Sequence, residues 1–305
     1  MRPAPPGEAG LVAPGELRRD PCVALHCDLP RRNYTSIFTS RRLWCWQTAV
    51  MLSLLPFADR APTDSAMFDR WLAATYAPPG GRWVRACMIA SLDGAATLDG
   101  RSGGLSSATD RAVLATLRGL ADVVLVGAET VRREKYRAAD PHPVLAADRV
   151  AGGHRAAAVI AVVSQGLDLE PALFHGEPGS VLVITSESSP ASERRRLERE
   201  GAEVLTAGTD RVEVARALEL LADRGLTSVL TEGGPRLLAQ LHAAGALEEL
   251  CLTVAPNFVG GNAPRILQGV VPPGQLRLEG LLEDDGYLFT RYRVHSGASD
   301  LTMPD

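Results

Sequence analysis

The sequence predicts an α/β protein built on a mixed, mostly parallel β-sheet with helices on both faces. From about residue 83 onward, apolar runs of strand length alternate with segments of helical periodicity. The runs at 123–126 and 181–184 are apolar at every position, as parallel strands covered by helices on both faces require. The last strands carry polar residues between apolar ones, which indicates an antiparallel hairpin at the C-terminal end.

The predicted elements follow in order along the chain. A helix over 65–75 and a Pro-Gly breaker at 78–81 precede the first strand, 83–90. Further strands are predicted at 122–126, 157–163, 180–184, 228–231, 249–255 and 287–294. Helices between them are predicted at 108–118, 129–134, 190–200, 210–224 and 235–243.

One domain is predicted over 82–296, preceded by a short lead-in at 51–81 and followed by a tail at 297–305. The first fifty residues contain many prolines and arginines and show neither helical nor strand periodicity. Burial in such a segment cannot offset the entropy of ordering it. We therefore expect 1–50 to be a disordered tail, or to precede a true start of the chain at Met51.

Composition excludes several classes of protein. A net charge of −4 gives no basic excess for general nucleic-acid binding. The single lysine, Lys135, does not follow a glycine, so a Walker lysine is excluded. Five cysteines without a C-x-x-C pair indicate reduced thiols and a cytoplasmic protein, and no apolar run is long enough for a membrane helix. The histidines show no metal-ligand spacing, so no metal is predicted.

A long loop follows the first strand. It begins with Asp93 and Gly94, continues through a glycine-rich stretch at 99–107, and ends at a helix whose first turn contains Asp110. Alone, Asp93 is typical of a turn and Asp110 of a helix start, where a carboxylate meets the positive end of the helix dipole. Loops of this length between a strand and a helix are commonly functional, so we predict a functional segment.

Two further strand-to-helix turns are candidates for ligand binding. The stretch 123–133 is a strand, a glycine turn at Gly127 and a helix start, whose free N–H groups suit a phosphate. Every α/β unit has such a turn, so this signal is weak alone. In 229–238, a buried strand ends in Glu232, followed by two glycines and by Pro235 at the first helical position. Ligands of open α/β sheets bind beyond such strand ends.

Five motifs together resemble the pyrimidine reductase of bacterial riboflavin biosynthesis, the C-terminal half of a bifunctional deaminase–reductase with the dihydrofolate reductase fold. They are SLDG at 91–94, GRSGGLSS at 100–107, VGAETVR at 126–132, TEGGPRLL at 231–238 and APNFVGG at 255–261. The resemblance covers roughly 82–296. It implies a dihydrofolate-reductase-like fold, bound NADPH and a homodimer. The implied reaction is hydride transfer to C1′ of ring-opened 5-amino-6-(5-phosphoribosylamino)uracil, giving the ribitylamino product.

The resemblance also implies site residues. Glu232 is expected to contact substrate and to stabilise a cationic iminium acceptor, with Asp110 as the second candidate for that catalytic role. Substrate contacts are expected for Ser102, Asp93 and Arg118, the last through the substrate phosphate. Cofactor contacts are expected for Ala90, Gly127, Thr130, Arg132, Ser164, Gly233, Gly234, Pro235, Arg236 and Leu237.

One turn departs from the family pattern. The bifunctional enzymes have an Asp-Asp-Pro turn followed by a substrate arginine, where this chain has 134–137, Glu-Lys-Tyr-Arg. The second carboxylate and the substrate arginine therefore stay open. Two rival functions stay open as well. One is a dihydrofolate or pteridine reductase of the same fold, in which Asp110 assists protonation. The other is a non-catalytic dimer that binds NADPH.

Overall fold

The computed structural model describes residues 52–55, 59–177 and 179–295. The described residues all belong to one compact unit. The predicted tails at 1–50 and 297–305 lie outside the described residues. Within these ranges, no helix combines the length and the hydropathy needed to cross a bilayer.

The described strands form one sheet. They are β1 (Leu52–Leu55), β2 (Asp59–Arg60), β3 (Trp83–Ser91), β4 (Val123–Gly127), β5 (Val159–Val163), β6 (Val181–Thr185), β7 (Glu203–Thr206), β8 (Ser228–Thr231), β9 (Glu249–Ala255), β10 (Leu276–Asp284) and β11 (Tyr287–Val294). Their order across the sheet is β2-β1-β10-β11-β9-β3-β8-β4-β5-β6-β7. Neighbours from β9 to β7 pair in parallel, and neighbours from β2 to β9 pair antiparallel. The predicted sheet and its C-terminal hairpin are confirmed.

Helices cover both faces of this sheet. They are α1 (Ser65–Thr75), α2 (Ala108–Leu120), α3 (Ala128–Glu134), α4 (Ala146–Ala151), α5 (Ala191–Arg199), α6 (Val214–Ala222) and α7 (Pro235–Ala243). Side chains alternate across a strand, so Val124 and Val126 of β4 join one core cluster with residues of α1, α2, α3 and α5. Val123 and Leu125 join a second cluster with residues of α6 and α7. These two cores explain why the central strands are apolar at every position.

Several elements were not predicted, or were predicted with other bounds, because buried and exposed residues alternate only weakly along them. In β7 only Leu205 is buried, as expected for a short strand at the edge of the sheet. In β10, Gly280 follows a register shift and the first residues are exposed, which removes the alternation of buried and exposed positions. The helix predicted at 210–224 begins only at Val214, because residues 207–213 form a loop closed by Glu213 N–H donating to the Ala207 carbonyl at 2.8 Å. The lead-in contributes β1, β2 and α1 to the same compact unit.

Candidate active site

Two loops meet at the carboxyl ends of the central strands. The loop after β8 contains Glu232, Gly233 and Gly234, and the loop after β4 begins at Gly127. Gly127 N–H donates to the Gly233 carbonyl at 2.9 Å, and Glu232 N–H donates to the Leu125 carbonyl at 3.3 Å. These bonds fix the start of α7 beside the start of α3. The crevice of an open α/β sheet, where ligands bind, lies at such strand ends.

A cavity of about 720 Å³, here called the α3–α7 cleft, lies between these helix starts and the loop after β5. Among its lining residues are Gly127, Thr130, Arg132, Ser164, Gly234, Pro235, Arg236 and Leu237. All of them were predicted to contact the cofactor. The structure therefore brings together most of a site that the sequence spreads over more than one hundred residues.

Two predicted cofactor residues do not line this cleft. Ala90 is buried in β3, where it pairs with Val254 of β9. Gly233 has a φ of +84°, and a Cβ there would lie 3.1 Å from the Cε atom of Met88. Its missing side chain therefore allows β8 to turn against β3. Neither residue lines the cavities described here.

Glycines allow the two loops to approach closely at the base of the α3–α7 cleft without filling it with side chains. A Cβ on Gly234 would lie 3.0 Å from Thr130 Oγ1, and a Cβ on Gly127 would lie 3.6 Å from the Gly234 nitrogen. Arg132 Nη1 donates to the Asp168 carbonyl at 2.9 Å and lies 3.8 Å from the Asp168 carboxylate, which partly offsets its positive charge. Arg236 is exposed in the first turn of α7. A closely approached helix start with nearby arginines suits an anionic ligand.

A second cavity of about 460 Å³, here called the α2–α3 cavity, adjoins the cleft, because Thr130 lines both. Four residues predicted to act on substrate, Ser102, Asp110, Arg118 and Glu232, line it. The glycine-rich loop before α2 covers one side. Part of the long loop therefore lines a cavity, while its predicted functional role stays a prediction.

Glu232 and Arg118 form an ion pair in this cavity. Arg118 Nε donates to Glu232 Oε1 and Arg118 Nη2 donates to Oε2, both at 2.6 Å. The Glu232 side chain is 5% exposed and that of Arg118 is 34% exposed. Burial alone would lower the pKa of Arg118, but the hydrogen bonds and negative charge of Glu232 raise it above its ordinary value. Arg118 is therefore stabilised in its charged form by its ion pair with Glu232.

Tyr136 is a site residue that the sequence analysis did not single out. Its hydroxyl donates to Glu232 Oε2, and its ring centre lies 5.3 Å from Arg118 Cζ. Burial, and then the charge of Glu232, raise the pKa of Tyr136 well above its ordinary value. The only signal in the sequence was the departure of 134–137 from the family pattern, which located the turn without indicating the role of its tyrosine.

Ser102 and Asp110 each form hydrogen bonds with a neighbouring side chain of the cavity. Ser102 donates through its backbone N–H and its Oγ to Glu134 Oε1 at 3.0 and 3.1 Å. Asp110 is buried, and its Oδ2 accepts from Ser106 Oγ at 2.6 Å. Glu134 thereby ties the glycine-rich loop to the end of α3.

Asp93 lies outside both cavities, in contrast to its expected contact with substrate. Its carboxylate accepts from Ser91 Oγ, from Gly260 N–H at 2.7 Å and from Val259 N–H at 3.2 Å. The hydrogen bond from Ser91, followed by those from Gly260 and Val259, lowers the pKa of Asp93 from 3.8 to about 2. Asp93 thus ties the end of β3 to the loop after β9.

The family described as the RibD C-terminal domain matches residues 82–287. This chain belongs to that family. The riboflavin biosynthesis protein RibD of Chlamydia trachomatis is 32% identical over 61% of this chain and 49% of the relative. This RibD-family chain therefore spans about half the length of that protein. The 2,5-diamino-6-ribosylamino-4(3H)-pyrimidinone 5′-phosphate reductase of Aquifex aeolicus is 28% identical over 59% of this chain and 73% of the relative.

A solved structure shares the fold of this RibD-family chain. A pyrimidine reductase-like protein from Corynebacterium diphtheriae is 30% identical, with a TM-score of 0.65 over 71% of this chain and 93% of that protein. The family predicted from the five motifs is confirmed, as is the dihydrofolate-reductase-like fold. Among the described residues of the RibD-family chain, no three His, Cys, Asp or Glu side chains are grouped so that they could hold a metal ion.

The lowered pKa of Asp93 predicts a pH-dependent contribution to stability. A depressed carboxyl pKa stabilises the folded state above pH 3.8, and the effect is lost as the pH falls toward 2. The Asp93→Asn variant should therefore be less stable than the parent at pH 6, and the difference should narrow by pH 3. Urea unfolding at both pH values measures it. A difference that is constant with pH would contradict the charge-based account.

Proposed function

We propose that this RibD-family chain is an NADPH-dependent reductase that converts 5-amino-6-(5-phosphoribosylamino)uracil to its ribitylamino product in riboflavin biosynthesis. The observation that carries the proposal is the junction at Thr130, where the α3–α7 cleft meets the cavity that contains Glu232. A dinucleotide in the cleft would end beside a substrate in the cavity. The names of the Chlamydia and Aquifex relatives support the reaction class and the pathway.

The α3–α7 cleft fits a dinucleotide. Its volume of about 720 Å³ lies within the range of small-molecule sites, roughly 300–1,000 Å³. Gly127 and Gly234 leave room where a side chain would crowd the base of the cleft, and Arg132 and Arg236 supply positive charge for phosphates. Ser164 lines the far end, beyond β5. When bound, NADPH would supply the hydride, and these residues would hold and orient it.

The α2–α3 cavity supplies the electrostatics for the acceptor. Opening of the ribosylamine ring leaves a C1′ atom joined to nitrogen as an iminium, which a nearby carboxylate stabilises. Glu232 lines this cavity directly after β8, two residues before Gly234, which lines the α3–α7 cleft. Asp110 is a second carboxylate of the same cavity, bonded to Ser106. The substrate is thereby oriented with its reacting carbon toward the cleft.

Arg118 uses Nε and Nη2 to bind Glu232, and this carboxylate balances its positive charge. Arg111, Lys135 and Arg137 line the same cavity and are exposed. None of these three cations forms an ion pair with a described residue. We therefore assign the phosphate to this group of cations, which revises the expected role of Arg118.

The Arg137→Gln variant tests the phosphate assignment. We expect KM for the phosphorylated substrate to rise about tenfold, which corresponds to about 1.4 kcal/mol of lost binding, with a smaller change in kcat. Steady-state kinetics with the phosphorylated and dephosphorylated substrates measure this, and the effect should disappear with the second. Arg101→Gln, an exposed arginine that lines neither cavity, is the matched control. An equal rise for both substrates would exclude a phosphate contact.

Substrate choice tests the proposed function directly. NADPH oxidation is measured with the pyrimidine phosphate and, separately, with dihydrofolate. Faster oxidation with the pyrimidine supports the proposal, and oxidation with dihydrofolate alone identifies the pteridine reductase instead. Tight NADPH binding with neither substrate consumed identifies a non-catalytic binding protein.

A homodimer, implied by the resemblance, and a cytoplasmic location, indicated by the cysteine pattern, belong to the same proposal. Phe258 and Leu92 are exposed apolar side chains on loops joined by the hydrogen bond from Leu92 N–H to the Asn257 carbonyl. Exposed apolar surface of this kind is commonly covered by a partner. Sedimentation of the full chain would measure its mass in solution.

A further inference from the structure

We propose that Tyr136 is a positioning residue that, together with Arg118, holds the Glu232 carboxylate in one orientation in the α2–α3 cavity. The inference rests on the proposed function, in which Glu232 serves the reacting carbon. It assigns a role to the turn at 134–137, which the sequence comparison left without one.

The hydrogen bonds of Glu232 show how far its orientation is restricted. Its Oε1 accepts from Arg118 Nε at 2.6 Å, and its Oε2 accepts from Arg118 Nη2 at 2.6 Å and from the Tyr136 hydroxyl. A carboxylate has about four acceptor positions. The donors from Arg118 and Tyr136 therefore leave about one position, on Oε1, for a substrate atom.

The conformation of the backbone after α3 places Tyr136 beside Glu232. Lys135 adopts a left-handed conformation with φ of 54°, and its N–H donates to the Val131 carbonyl. Tyr136 N–H donates to the same carbonyl at 3.0 Å. This helix ending turns the chain sharply, so the residue after Lys135 leaves the helix beside the cavity.

Tyr136 restrains both members of the ion pair, because its ring lies against the guanidinium of Arg118 while its hydroxyl bonds to Glu232. The Arg118 side chain is one-third exposed and extends from a different helix, α2. A pair held only by its own two hydrogen bonds could swing as a unit. A third donor from the end of α3 opposes this movement.

The Tyr136 hydroxyl is suited to act as a hydrogen-bond donor to Glu232. Its burial, followed by the negative charge of Glu232, raises its pKa, so the hydroxyl keeps its proton at neutral pH. Arg118 opposes that shift, and Glu134, Lys135, Arg137, Asp110, Arg111 and Asp140 are the other charged residues of the cavity wall. The Tyr136 hydroxyl therefore remains a donor to Glu232 where the reductase would work.

The Tyr136→Phe variant tests the role in turnover. We expect kcat with the pyrimidine phosphate to fall about 10- to 100-fold, as for a lost hydrogen bond to a charged group. The NADPH Kd should not change, because Tyr136 does not line the α3–α7 cleft. Tyr292→Phe, which changes a tyrosine that packs against the opposite core cluster, is the matched control and should keep full activity. Unchanged kcat in Tyr136→Phe would overturn the proposal.

A double-mutant cycle separates positioning from a general structural role. If Tyr136 acts through Glu232, Tyr136→Phe should cost less than about twofold in a Glu232→Gln background. The same loss in both backgrounds would mean that Tyr136 acts independently and would overturn the inference. Thermal unfolding of each variant identifies losses that arise from misfolding, and Tyr136→Met, which has no hydrogen-bond donor in its side chain and adapts to the space, then replaces Tyr136→Phe.

A spectroscopic measurement keeps the inference testable if the proposed function fails. Glu232→Gln removes the negative charge that opposes ionisation of Tyr136, so the pKa of this tyrosine should fall. Tyrosinate absorbance during alkaline titration reports the change, and Tyr136→Phe identifies which part of the signal belongs to Tyr136. A fall in the absence of pyrimidine reduction would support the contact and reject only the proposed substrate. An unchanged titration would overturn the contact.

Discussion

Replacing Glu232 with glutamine is expected to lower kcat about 100-fold or more while NADPH affinity stays unchanged. The substitution keeps the shape of the side chain but removes the charge that would stabilise the iminium acceptor. Glu232 lines the α2–α3 cavity and not the α3–α7 cleft, so cofactor binding should not depend on it. Single-turnover rates and a fluorescence titration with NADPH measure the two quantities.

The control for this variant must separate lost chemistry from a lost ion pair. Arg224 donates through Nε and Nη2 to Glu203 Oε1 at 3.0 and 2.7 Å, far along the sheet at β7. Glu203→Gln therefore breaks a more exposed arginine–carboxylate pair away from both cavities and should keep full activity. Equal activity of Glu232→Gln and the parent would remove Glu232 from the mechanism.

Replacing Gly234 with valine is expected to raise the NADPH Kd at least about tenfold, equivalent to about 1.4 kcal/mol. The new Cβ would lie 3.0 Å from Thr130 Oγ1, and the added methyl groups would enter the base of the α3–α7 cleft. A ligand could no longer approach the start of α7 closely. Titration of NADPH against the parent and the variant measures the loss.

Gly80→Val is the matched control for this substitution. A Cβ on Gly80 would meet nothing within 4 Å, and the residue lies before β3, outside the cleft. Its NADPH Kd should equal that of the parent. Circular dichroism shows whether Gly234→Val keeps its fold, and an unchanged Kd in the folded variant would show that Gly234 does not shape the dinucleotide site.

The sequence was informative where burial imposed a strict pattern. The runs in β4 and β6 are apolar on both faces because helices cover both faces of the sheet. Their positions and their parallel pairing could therefore be predicted from the order of apolar residues. The start of α2 followed from Ser107, whose Oγ accepts from Asp110 N–H at 3.0 Å. The edge strand β7 and the first part of β10 bury few of their residues, which leaves no pattern to detect.

By itself, the amino-acid order predicted the family, the α/β fold and eight of the residues that line the cleft. These predictions were possible because strand-end glycines and helix starts are local features. Only the tertiary structure decided how the charges are paired. Arg118 and Tyr136 meet Glu232 across 114 and 96 residues, and Asp93 meets Gly260 across 167. Such pairings depend on which loops the sheet order brings together. Whether a carboxylate or a guanidinium is available to a ligand is therefore a property of the assembled fold.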